Sequence, residues 1–157
     1  MNNQNFDRYL FREKSGGDWC IGSLILPDSK DDCYYIAELD DECLWFPVDP
    51  ATIGQSTGIF ARKDNSIFYE NGKLIFVGDI VQNLLGTSTG VVKHGHCRPK
   101  MFEDWCNTYA SGMKANLICT HISWLNGNST VLSNVTLLRV IGNVHDNPEL
   151  LQIESEG

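Results

Sequence analysis

Short apolar runs separated by turn-forming residues recur along the chain: Trp19 to Leu26, Cys33 to Ala37, Leu44 to Val48, Ser66 to Tyr69, Leu74 to Phe76, Ile80 to Leu84 and Gly90 to Val92. Runs this closely spaced, rich in aromatic and β-branched residues, predict a mainly β fold of the barrel or sandwich kind. Between them stand Pro27-Asp28-Ser29, Asp49-Pro50, Asn71-Gly72 and Gly78-Asp79. Asn-Gly supplies the positive φ of a type I′ turn, so Phe68 to Phe76 is expected as a hairpin about Asn71-Gly72. A longer hairpin is expected from Leu117 to Leu125 and Thr130 to Val140, joined through Asn126-Gly127-Asn128. Both of its strands are apolar on both faces, which implies a central or interface position.

A helical period occurs in one place. Phe102, Trp105, Cys106 and Tyr109 stand at i, i+3, i+4 and i+7 between Pro99 and Gly112, which predicts a helix of about three turns. Near the C-terminus, Asp146 or Asn147 can cap a short turn that opens on Pro148, with Glu149 favouring its positive end.

Composition narrows the class. A chain of 157 residues fits one domain and buries about 70% of its unfolded surface, so its core needs neither disulfide nor metal. Twelve Lys and Arg against twenty Asp and Glu give a net charge of −8, which opposes an electrostatic grip on DNA or anionic lipid. The six cysteines, Cys20, Cys33, Cys43, Cys97, Cys106 and Cys119, form no C-x-x-C pair. Met1 to Phe11 has no apolar signal-peptide core, so the thiols are expected to be reduced and the protein cytoplasmic. The stretch between Lys114 and Arg139 carries no Asp, Glu, Lys or Arg. Asn126, Gly127, Asn128, Ser129 and Asn134 nevertheless argue against a membrane helix there.

His94-Gly95-His96-Cys97, with Cys106 and Cys119 further on, is the sharpest local cluster, because imidazole and thiolate together suit zinc. Spacing tells against it: on a strand His94 and His96 face one side and Cys97 the other, and Cys106 lies on the apolar stripe of the expected helix. His121 shares a strand face with Cys119, but i and i+2 lie ~6–7 Å apart, too far for direct proton transfer. Neither a G-x-S-x-G elbow nor a glycine-rich phosphate loop is present. Asp49, Asp79 and Asp146 each adjoin a turn former, where a carboxylate bonds local backbone N–H groups. No catalytic, cofactor-binding or metal residue is therefore assigned. The adjacent aromatics Tyr34-Tyr35 and Trp45-Phe46 cannot both point inward from one strand. Most of the aromatics, with Trp19, Trp105 and Trp124 among them, are expected in the core, but these adjacent pairs suggest an oligomer or a binding surface.

Five segments carry a resemblance. They are Leu10-Phe11-Arg12 with GDWCIGSLI (Gly17 to Ile25), FPVDPATIGQSTGI (Phe46 to Ile59), NGKLIFVGDIV (Asn71 to Val81), TGVVKHG (Thr89 to Gly95) and VIGNVHDNPELL (Val140 to Leu151). In that order the chain resembles the YopX protein family of phage and prophage proteins, departing from it at Val77 (usually Glu), at Glu13 (usually Gly) and in extra residues around Arg62 to Tyr69. The resemblance implies a mainly β, YopX-like domain spanning 1–157, with an SH3-type barrel, an additional long hairpin and one or two short helices. An N-terminal β subregion, 8–60, would pack on a barrel subregion, 66–152. The resemblance also implies an oligomer in a bacterial cytoplasm and carries over no catalytic residue. The function expected is a non-enzymatic module that binds itself and a host or phage protein. The alternative is a nucleic-acid-associated accessory factor, which would need a basic groove around Arg62, Lys63, Lys73, Lys93, Arg98, Lys100 and Lys114.

Overall fold

In the computed structural model, which describes residues 10–28, 32–38, 44–62, 71–97, 99, 104, 117–133 and 137–152, Gly16 and Gly17 take φ of 60° and 106°. Two left-handed residues in succession make a hairpin turn whose twist matches the strands it joins. They connect β1 (Phe11–Ser15) to β2 (Asp18–Ile25) in antiparallel register. Strand β3 (Tyr34–Glu38) pairs with β2, and β4 (Trp45–Val48) with β3. After β4, Asp49 caps a one-turn 3-10 helix, Pro50–Thr52, by accepting the Ala51 N–H. The chain then runs back beside β1. The Asp49 N–H donates to the Lys14 carbonyl, the Lys14 N–H donates to Thr52 Oγ1, and β5 (Gly54–Arg62) pairs with Phe11 and Arg12. FPVDPATIGQSTGI is thus a joint that ties β4 and β5 to β1.

The chain divides into two compact units, 1–58 and 59–157, with β5 running through the division. The first unit orders its strands β4-β3-β2-β1-β5. Alternation puts Phe11, Glu13, Cys20, Gly22, Ile36 and Phe46 on one face, where Ile36 and Glu13 are fully buried and Cys20 nearly so.

In the second unit β6 (Asn71–Phe76) lies beside the end of β5, and β7 (Asp79–Asn83) follows through a turn at Val77-Gly78, with Gly78 at φ 92°. Strands β8 (Thr89–Cys97), β9 (Leu117–Trp124), β10 (Ser129–Val131) and β11 (Leu138–Asn143) complete an antiparallel sheet ordered β10-β9-β8-β7-β11. Ala61, Ile75, Val81, Val92, Ile122, Leu132 and Leu138 form its apolar core. A one-turn 3-10 helix, Pro148–Leu151, opens on the proline read from sequence, after Asn147.

Several expectations are corrected. The fold is mainly β in two antiparallel sheets, and among the described residues no closed barrel is seen. Asn71-Gly72 begins β6, the other strand of its expected hairpin lies outside the described residues, and a turn follows at Val77-Gly78, beside the Gly78-Asp79 turn former. The long hairpin is cut short: β10 pairs with β9 over three residues, and β11 crosses to the far edge to pair with β7. Its apolar residues there join the core beside β7, a partnership that the apolar pattern alone does not specify. The expected helix and the strand Ser66 to Tyr69 lie outside the described residues, apart from a helical Asp104.

Candidate functional site

The second face of the first unit carries Arg12, Lys14, Trp19, Ile21, Ser23, Tyr35, Trp45 and Pro47, by the register of β1 to β4. Trp45 is 62% exposed and Ile21 45%. The Trp19 ring holds two cations, with Arg12 Cζ 4.6 Å and Lys14 Nζ 5.2 Å from its centroid. An indole face attracts cations through its quadrupole, so the buried Arg12 and the half-buried Lys14 are held against Trp19 on the face that exposes Ile21 and Trp45. Phe46 turns to the opposite, inner face and is half-buried, while Trp45 points out. That division is the one the adjacent aromatics require. Pro47 also removes a backbone donor from β4, which stands at the edge of the first sheet.

The inner face holds an unusual acid. Glu13 stands across from Cys20, and neither carboxyl oxygen has a hydrogen-bond partner among the described residues. Burial lifts its pKa from 4.5 to about 7. It also lifts the Cys20 thiol, helped by the negative charges of Glu38, Asp18 and Glu13. A carboxyl that titrates near neutrality suits proton transfer, but zero exposure seals this one from any substrate.

In the second unit, pairing of β8 with β9 assembles a cluster that no local motif contains. Cys97 lies opposite Leu117, Gly95 opposite Cys119 and Lys93 opposite His121. Cys97 and Cys119 bring their sulfurs to 2.9 Å, and the donor atoms of Cys97, Cys119 and His121 lie within 4.8 Å of one another. Burial and the bond to Cys119 push the Cys97 thiol up to about 11. His121 is buried, with Nδ1 3.3 Å from the Cys119 carbonyl oxygen. His94 and His96 stand on the other face and are exposed, His94 Nδ1 lying 3.2 Å from Thr120 Oγ1. Cys106 and Cys43 lie outside the described residues. Sequence spacing missed this trio because its members are brought together by strand register.

The remaining polar residues singled out from sequence build turns. Asp79 Oδ2 accepts the Phe76 N–H across the Val77-Gly78 turn, and Asp146 Oδ2 accepts from Asn143 Nδ2. Asn143 Oδ1 accepts the N–H groups of both His145 and Asp146. Of the proposed basic groove, Lys73 and Lys93 are exposed. Lys63, Arg98, Lys100, Lys114 and the Arg62 side chain lie outside what is described. Among the described residues no helix is long and apolar enough to cross a membrane, and the described parts of the uncharged stretch form β9 and β10.

A search of curated proteins found no match, nor did a search of solved structures. The family model described as YopX protein matches residues 17–152. That span takes in the Asp49–Thr52 joint, the turn at Val77-Gly78 and the Asn143 loop, and the chain belongs to the YopX protein family.

Proposed function

We propose that this chain is a non-enzymatic interaction module of phage or prophage origin, acting in a bacterial cytoplasm, which associates with itself and with a host or phage protein. The observation that carries this function is the exposed Ile21–Trp45 face, with its cation-flanked Trp19. A contiguous apolar patch left in water marks a contact surface, and aromatic residues dominate the energetics of such contacts. A non-enzymatic role also fits the carboxylates, because Asp49, Asp79 and Asp146 are engaged in turns.

Sedimentation of the wild type and of an Ile21→Asp/Trp45→Asp variant tests the self-association. The expected result is a concentration-dependent oligomer for the wild type and a folded monomer for the variant. A wild type that stays monomeric at every concentration refutes self-association. Affinity capture with and without nuclease tests the partner. A stoichiometric protein that survives nuclease and is lost with the variant supports the module, whereas partners lost only with nuclease favour the nucleic-acid-associated factor.

A further inference from the structure

We propose that Cys97, Cys119 and His121 form a binding site for a soft divalent metal ion of the zinc class, with two thiolates and one imidazole as ligands. Three observations meet here, and none depends on the aromatic face of the first unit.

The first is donor chemistry. Sulfur and imidazole nitrogen are the ligands zinc prefers, at ~2.3 Å and ~2.0–2.1 Å. Two sulfurs on a tetrahedral zinc then stand about 3.8 Å apart, from the same bond length. The pair at 2.9 Å is far longer than the ~2.05 Å of a disulfide and needs only a small opening to admit an ion. All three donor atoms already lie within 4.8 Å of one another.

The second is the backbone that brings them together. Gly95, directly across from Cys119, has no side chain and takes φ of 142°. A Cβ built there would meet nothing within 4 Å, so space is open beside Cys119 for its thiol to reach the diagonal Cys97.

The third is the way His121 is held. With Nδ1–H donated to the Cys119 carbonyl at 3.3 Å, the free lone pair of His121 is on Nε2. Metal-ligating histidines are commonly held in this way, one nitrogen on backbone carbonyl and the other for the ion. Binding displaces two thiol protons to solvent, and three protein ligands leave one tetrahedral position for water.

The test is titration of the reduced, chelator-treated full chain with cobalt(II) and then zinc. The expected result is one cobalt per chain, with the thiolate-to-cobalt charge-transfer band and the visible bands of a tetrahedral site, all removed by one equivalent of zinc. Cys119→Ser and His121→Asn should lose the spectrum while keeping the wild-type circular dichroism, and Cys33→Ser should keep it. The wild type alone supplies a measurement that does not depend on variant folding: zinc should raise its melting temperature in a dose-dependent way, as a ligand of the folded state does. Absence of the bands in the reduced wild type overturns the proposal, as does their persistence in folded Cys119→Ser. A wild-type melting temperature unmoved by zinc overturns it equally.

Discussion

Glu13 shows what one residue can do to the pH response of the whole fold. Its carboxyl titrates at about 7 in the folded chain against 4.5 ordinarily. Below about 4.5 it is protonated in folded and unfolded chains alike, and its full contribution to stability is present. Between about 4.5 and 7 the unfolded chain ionises while the folded one holds its proton, so stability falls as pH rises. Above 7 the loss is complete. Urea denaturation across this window should show the wild type losing about 1–3 kcal/mol relative to Glu13→Gln, whose amide does not titrate. A constant difference between the two proteins would mean that the carboxyl is hydrated and ionised throughout. Gly90 shows a steric constraint of the same local kind. A Cβ there would stand 2.7 Å from Ile122 Cγ2 and 2.9 Å from both the Ser123 carbonyl oxygen and Trp124 Cε3. Gly90→Ala should therefore destabilise by about 1–3 kcal/mol, the usual range for an overpacked core, as read by thermal or urea unfolding.

At the scale of elements, the loop after β11 depends on Asn143. Its Oδ1 takes two backbone N–H groups at 3.0 Å and its Nδ2 donates to Asp146 at 2.9 Å. Asn143→Ala leaves those donors without their acceptor and should cost about 1–3 kcal/mol, with faster amide exchange confined at first to His145 and Asp146. Such loops explain how far the fold could be read from sequence. Strands β2, β3, β4 and β7 were legible within a residue or so, because apolar runs and their flanking turn formers agree. Strands β1 and β5 were not, since Arg12-Glu13-Lys14 and Gly54-Gln55-Ser56-Thr57-Gly58 break the apolar alternation. Arg12 and Lys14 find their place on Trp19 of the next strand, and Glu13 is buried with its pKa raised to about 7, relations that a linear pattern does not record. That one of Trp45 and Phe46 faces outward could be foreseen, but not which of the two. The Cys97–Cys119–His121 cluster could not, because Cys97 reaches it through the register of β8 against β9, and nothing in the spacing of the cysteines states that register.

At the scale of the whole molecule, charge and apolar surface make opposing demands on assembly. Every copy carries −8, so two copies repel each other at low ionic strength, while the Ile21–Trp45 face favours contact through apolar burial. Salt screens the first term, with a Debye length of ~30 Å at 0.01 M and ~10 Å at 0.1 M, and leaves the second nearly untouched. Self-association through this face should therefore tighten as salt is raised between those values, and sedimentation equilibrium should register a lower dissociation constant at the higher one. Binding of nucleic acid would run the other way, because each neutralised phosphate releases counterions and affinity falls steeply with salt. Trp45→Asp adds a charge and removes the ring, so it should remain monomeric at both salt concentrations. Were the wild-type oligomer to loosen with salt, its contact would be ionic, and the apolar burial argued for the Ile21–Trp45 face would not be what holds it.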